Sequence, residues 1–446
     1  MITESACDYR RPPYLPAWDR PQRGFDAQRI FGTRREGAPA TQVCIYSHDT
    51  FGLGHLRRNL AIADQLLRSA DPFEVWLLTG SPVIRQTKLP HGLHVQPLPP
   101  VVKTGAERYA ARAPGQLFGL TKGYREALIM KLVEEQRPDV FLVDHAPAGM
   151  NGELLSTLAL IRNELPRTRT VLGLRDILDS PESVRRTWQE QELHALMEQA
   201  YDDLFVYGSE RLHDVVAAYG LSTKLARRVQ YCGYVVGPAR FEQLRATDGG
   251  KVCWDRQRSG ARPVVLVMAG GGGDGHFLMD AYLQGICRGA PNDFHSVIVT
   301  GPLMPGAESQ ALRNAAAGRD DVEIVAYASE PMPSIRAADL VVSMAGYNTC
   351  VELLAARKKA ILVPRSVPRL EQKLRADLLA GLGLFDAVDP DADLAATLSV
   401  RVPRALAAAL PCEAGWAAVD LRGAERVATA LARCASRLER PIEDLA

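Results

Sequence analysis

A chain of 446 residues, 47% of them hydrophobic, is too long for one ordinary core and fits two domains of a water-soluble protein. No apolar run approaches the ~18 residues of a membrane span. A net charge of +1 excludes a global attraction to nucleic acid or to an anionic membrane, so an anionic ligand must meet a local site.

Residues 1–39 carry prolines and arginines but no apolar signal segment, so they read as an N-terminal extension and the cytoplasm is the expected location. The eight cysteines are scattered, with no CxxC pair and no histidine cluster at zinc-ligand spacing, which agrees with a reducing compartment. Cys44 and Cys350 read as small core residues.

From residue 40 short apolar runs alternate with helical patterns. QVCIYS, FEVWLLT, LHVQPL, DVFLVD, TVLGL, DLFVYG and RVQYCGY are the expected strands of the first half; PVVLVMAG, SVIVTG, VEIVAY, DLVVSMAG and KAILVP are those of the second. Several are apolar throughout, as strands covered on both faces must be. LRRNLAIADQLLRS and NTCVELLAAR have helical spacing, and the alternation predicts an α/β protein with parallel sheets. The strands are too many for one sheet, and the polar stretch 238–262 marks a boundary. Two doubly wound, Rossmann-like domains, 40–240 and 241–420, are therefore expected to face each other across a cleft, with a helix in 421–446 packing back on the first.

After QVCIYS, the loop HDTFGLGH leads into a helix, which puts His55 near a helix N-terminus at the sheet's C-terminal edge. Gly52 and Gly54 permit close backbone approach there, and free N–H groups favour an anion or a developing oxyanion. His55 either takes part in chemistry or merely satisfies local backbone groups. In the second half, an apolar strand runs into Gly270 to Gly273 and then a helix, a geometry that presents N–H groups to phosphate or serves tight packing. It is neither a Walker loop nor a GxGxxG fingerprint of the chain's first βα turn.

Further on, Gly346 lies in a loop, and Thr349 stands at the expected helix start with Glu352 three residues later. The pair is a capping box, or else Glu352 accepts the hydroxyls of a ribose. Glu371 and Gln372 suit sugar hydroxyls or form a solvated helix face. The stretch DPDAD (Asp389 to Asp393) reads as a polar turn and N-cap, not as a metal site.

SMAGYNTCVE followed by VPRLEQ resembles the nucleotide-sugar signature of GT-B glycosyltransferases similar to the N-acetylglucosaminyltransferase of peptidoglycan synthesis. VDHAPAGMNGELL, LGLRDILDSPESVRRTW and YDDLFVYGSE are similar to bacterial predicted glycosyltransferases of the same group. The resemblance implies a GT-B fold and hexose transfer from a nucleoside-diphosphate sugar, with UDP favoured. By the same resemblance Gly271, Gly272, Gly273, Gly346, Asn348, Thr349 and Glu352 hold the nucleotide, Glu371 and Gln372 the hexose, and His55 is the base. The loop GGGGDGH departs from the family's form, leaving Asp274 and His276 without an assigned role, and the membrane-association patch of lipid-linked acceptor enzymes is not apparent.

The mechanism so implied is inverting: His55 deprotonates an acceptor hydroxyl, Asp144 orients it, and glycine loops with Arg175 or Arg240 meet the leaving diphosphate. Asp144 could instead cap a helix, and Arg175 could pair with Asp176. The partners expected are the sugar donor and an acceptor hydroxyl, with no nucleic acid, no cofactor and no metal. Two other functions fit the same residues. GxGHxxR (Gly52 to Arg58) also resembles the loop of the UDP-sugar hydrolase of pseudaminic acid synthesis, and a non-catalytic nucleotide-sugar binding protein needs no base. The long loop LPPVVKTGAERYAARAPGQLFG favours a transferase, since it can wall an acceptor pocket.

Overall fold

Each apolar run of the sequence forms a strand. The computed structural model describes residues 40–48, 53–105, 108–112, 115, 117–245, 251–287, 291–327, 331–411 and 413–436, so Gly52 and the 1–39 extension lie outside the described residues. The first half supplies β1 (Thr41–Ser47), β2 (Phe73–Thr79), β3 (His94–Pro97), β4 (Val101–Gly105), β5 (Arg108–Ala111), β6 (Val140–Asp144), β7 (Arg169–Arg175), β8 (Asp203–Tyr207) and β9 (Val229–Tyr231). The second supplies β10 (Val264–Met268), β11 (His295–Val299), β12 (Val322–Val325), β13 (Leu340–Ser343), β14 (Ala360–Leu362) and β15 (Asp386–Ala387).

Two sheets result, one of seven strands in the order β3-β2-β1-β6-β7-β8-β9 and one of six in the order β12-β11-β10-β13-β14-β15. All their pairings are parallel. The central strands are buried along their length, β6, β8, β10 and β11 at every position, because helices cover both faces. Burying a Val, Leu or Ile side chain contributes ~1.5–3 kcal/mol, which is why such runs end up inside. Cys44 and Cys350 are core residues, at 0% and 1% exposure.

Two features differ from the sequence reading. Part of the long loop after β3 folds as the antiparallel pair β4 and β5, ahead of helix α2 (Phe118–Gln136). The start of α2 exposes Leu117, Leu120 and Tyr124, an apolar stripe at helical spacing that the surrounding Gly, Lys and Arg residues mask in the sequence.

The helix Gly423–Ser436 returns to the first sheet. There Ala424, Val427 and Leu431 share a core with Ile62 and Leu66 of α1 (Gly54–Leu67). Asp393 accepts a hydrogen bond from Ala396 N and caps its helix, so DPDAD does form a turn and N-cap. Among the described residues no helix is long and apolar enough to cross a membrane.

Candidate active site

Each sheet reverses its winding once, and the residues of interest gather at those two places. In the first sheet the reversal lies between β1 and β6; in the second it lies between β10 and β13. Crevices at such switch points, at the carboxyl ends of the strands, are where doubly wound sheets bind ligands. His55 follows β1, and Asp144 ends β6. The glycine loop follows β10, and Gly346 follows β13.

His55 Nδ1 donates to Asp144 Oδ2 at 2.6 Å, and Arg58 donates to the other carboxylate oxygen at 2.5 Å. Asp144 is fully buried and Arg58 is 1% exposed, whereas the His55 side chain keeps 14% of its surface open. Both carboxylate oxygens are thus taken. Although burial acts against its charge, Arg58 and His55 hold the Asp144 carboxyl below its ordinary range. Burial outweighs the attraction of Asp144 and lowers the His55 pKa, so the ring is neutral near pH 7. With Nδ1–H committed to Asp144, Nε2 carries the lone pair.

Two further imidazoles surround this dyad, with ring centroids of His48 and His145 at 5.7 and 5.1 Å from His55. His145 adopts a φ of 71°, an uncommon conformation for a residue with a side chain and one that concentrates at functional sites.

The second sheet's loop is shaped by close backbone approach. Gly272 has a φ of +85°, and a Cβ there would lie 1.8 Å from Thr300 O, so that glycine is required for packing. Gly271 O accepts from Leu303 N at 2.9 Å, and Gly273 lies beside Leu303. The helix Tyr347–Ala356 starts after Gly346, with no side chain capping it and open space where a Gly346 Cβ would be. Helix α1 likewise starts without a side-chain cap. Both N-termini therefore offer N–H groups to an anion.

Thr349 is the third residue of its helix and not the cap, because the chain already turns helical after Gly346. The capping box with Glu352, one of the two readings of this pair, is absent. Glu352 is 6% exposed, and its Oε1 lies 3.4 Å from Arg240 and 3.8 Å from Arg57 while Oε2 is buried without a partner. Arg57 also lines a narrow pocket with Met268, Gly270 and Tyr327, beside the ends of β10 and β12.

Glu371 and Gln372 open the helix Glu371–Gly381 and are 5% and 6% exposed, so they are not a solvated face. Arg365 joins them to the glycine loop, reaching Glu371 at 3.4 Å and Asp274 at 3.2 Å, which gives Asp274 a partner.

The two switch points face each other. Asn348 donates to Gly54 O at 2.8 Å, Leu370 N to Asp179 at 2.8 Å, and Val235 N to the Tyr347 hydroxyl at 3.1 Å. Arg58 lies over the rings of Tyr207 and Tyr347, at 5.4 and 5.5 Å. The expected alternative of an Arg175–Asp176 pair does not form, because Asp176 is bound by Arg375 at 2.8 and 3.1 Å. Sequence reasoning passed over His145, Arg365 and Tyr347 as site neighbours, and met Arg58 only as the end of the GxGHxxR motif. Only Arg58, one helical turn after His55, and His145, next to Asp144, left a signal in spacing.

Residues 280–399 match the model of the glycosyltransferase family 28 C-terminal domain. No curated protein sequence gives a significant match. Among solved structures, the chain is similar to MurG of Acinetobacter baumannii, with a TM-score of 0.53, 13% identity and coverage of 89% of this chain and 100% of that one. It is similar to Os79 of O. sativa, solved in complex with UDP, with a TM-score of 0.59, 14% identity and coverage of 88% and 100%. A putative UDP-N-acetylglucosamine 2-epimerase from Listeria monocytogenes gives a TM-score of 0.60 at 12% identity, covering 90% and 98%. The chain thus has the GT-B fold of two Rossmann-like domains, and within the second of them residues 280–399 match the glycosyltransferase family 28 C-terminal domain.

Proposed function

We propose that this protein is an inverting, metal-independent glycosyltransferase that moves a hexose or aminohexose from a nucleoside-diphosphate sugar, UDP-sugar by preference, to an acceptor hydroxyl. The observation that carries the reading is the His55–Asp144 contact of 2.6 Å at one switch point, opposite the family 28 domain at the other.

In this reading His55 Nε2 takes the proton of the acceptor hydroxyl, which attacks the anomeric carbon as the nucleoside diphosphate leaves from the opposite face. Asp144 fixes the tautomer and stabilises the imidazolium that forms. The leaving charge meets the uncapped N-terminus of helix Tyr347–Ala356 and the loop Gly271 to Gly273, groups that are in place before reaction and need no reorganisation. Glu352 has one carboxylate oxygen without a partner for the ribose, and the base is assigned to the narrow pocket beside Arg57 and Tyr327. Glu371 and Gln372 are assigned to the hexose.

The test is incubation of the full chain with UDP-sugars and a panel of acceptor alcohols, in EDTA, with the anomer of the product read by NMR. A product of inverted configuration formed in EDTA supports the reading. Retention of configuration or metal-reversible loss of turnover overturns its finer parts. Rapid donor hydrolysis that no acceptor diverts makes the protein a hydrolase instead.

A further inference from the structure

Among the described residues the carboxylates around His55 are engaged, yet the side chain of a neighbouring cation is not. Asp144 is held by His55 and Arg58, Asp176 by Arg375, and Glu371 by Arg365. Among the described residues the side chain of Arg175, the last residue of β7, makes no hydrogen bond or ion pair, and its Nε is buried. An arginine cannot shed its proton to relieve such a position.

Two other polar atoms share the condition. His145 follows β6 directly, its backbone N donating to Gly173 O at 2.8 Å, and its Nδ1 is buried without a partner. Tyr207 pairs with Arg175 across β8 and β7. Its ring lies against Gly173, where a Cβ would fall 2.1 Å from the Tyr207 oxygen, and that hydroxyl is also buried without a partner. Three side-chain groups able to donate to an anion thus stand unsatisfied, each on a residue at the end of one of three adjacent strands. Burial, with Arg58, Arg375 and Arg369 nearby, draws the Arg175 pKa down to about 10 against the pull of Glu371, as expected of a cation short of counter-charge. Buried polar groups in native proteins are nearly always bonded, so three left open on neighbouring strands call for a partner that brings acceptors.

We propose that Arg175 and His145, with the Tyr207 hydroxyl beneath them, form an anion subsite beside His55 that takes a carboxylate or phosphate group carried by the acceptor or by the transferred sugar. The inference rests on the glycosyltransferase reading of the cleft, and names a substrate class for it: one partner in the reaction is acidic. The subsite is separate from that of the leaving diphosphate, which belongs to the glycine loop and helix N-terminus of the second sheet.

The experiment titrates inorganic phosphate, against sodium chloride of equal ionic strength, into the full chain with and without saturating UDP, following thermal unfolding. The parent should show a saturable rise in unfolding temperature in both states. Arg175→Met should lose it, and Arg175→Lys should keep part of it, which separates loss of charge from loss of fold. UDP affinity of Arg175→Met should stay within about threefold of the parent. UDP-glucuronate binding tighter than UDP-glucose, with the difference erased by Arg175→Met, puts the anion on the transferred sugar; equal binding of the two puts it on the acceptor. A tenfold or greater loss of UDP affinity in Arg175→Met, or phosphate titrations that do not distinguish it from the parent, overturns the proposal. A parent that binds no UDP sinks the donor assignment instead, and the phosphate arm without nucleotide still reads the subsite.

Discussion

Arg375, on the helix Glu371–Gly381, forms a two-bond pair with Asp176, just beyond β7 of the other sheet, and both side chains are 1% exposed. Arg375 also donates to Ala345 O at 2.9 Å and lies 5.7 Å from the centre of the Tyr347 ring. Since Tyr347 stacks on Arg58 as well, the pair belongs to a chain of contacts running from the helix Glu371–Gly381 to the His55–Asp144 dyad.

Removing one member of a buried ion pair leaves the other charge unsolvated, at a cost of about 3–5 kcal/mol. Asp176→Ala should lower stability by about that amount in urea unfolding. Adding Arg375→Met to it should recover a large part of the loss, because the stranded charge is then gone. Additive losses in the double variant would show that the two residues act independently.

Loss of His55 should separate binding from turnover. His55→Ala should bind UDP like the parent, since the candidate nucleotide groups stand on the second sheet, while kcat falls roughly 100- to 10,000-fold. Arg58 tunes the same ring. Its charge lowers the His55 pKa, so Arg58→Met should move the acid limb of kcat/KM to higher pH as well as slow the reaction. Parental turnover in His55→Ala would return the histidine to a role at the start of a helix.

The alternation of apolar runs and helical spacing was enough to read two doubly wound sheets, because strands buried on both faces must be apolar throughout. The positions of His55 and Asp144 were legible for a related reason: one lies where a helix begins and the other where a strand ends, places fixed by local pattern. What joins them was not legible. The Arg375–Asp176 pair spans residues far apart in the chain, and the Arg365 contacts to Asp274 and Glu371 depend on how two loops meet. The β4–β5 hairpin escaped notice because its connection lacks a tight-turn dipeptide such as Asn-Gly. Thr349 misled as a cap because a capping-box pattern holds at any such spacing, and Gly346 had already supplied the turn.

Glu352→Ala should weaken UDP binding more than Glu352→Gln. Its Oε2 has no partner in the protein and its Oε1 lies near Arg240 and Arg57, so the carboxylate can accept from a ribose while staying neutralised. Gln retains one accepting oxygen, which should limit the loss to about 1–2 kcal/mol by calorimetry. If both variants bind UDP like the parent, the ribose assignment is wrong.

Acid should destabilise the protein well before its carboxylates titrate. The His55 pKa is lowered in the fold and that of His145 lies well below its ordinary value, chiefly through burial and, for His145, through Arg175. Unfolded, both rings take up a proton as pH falls through ~6.5, whereas the folded chain resists it, so the unfolded state binds more protons in this window. The contribution is therefore complete above that value and is lost as pH falls toward each folded pKa. Asp144, held below its ordinary 3.8, adds a separate loss only when pH drops under that value. Stability measured by urea unfolding should fall from pH 7 to pH 5 with a slope of at most about 1.4 kcal/mol per pH unit for each histidine kept neutral. His145→Asn, which tolerates the positive φ, should reduce the slope by close to one proton. An unchanged slope would mean that His145 protonates in the folded chain as readily as in the unfolded one.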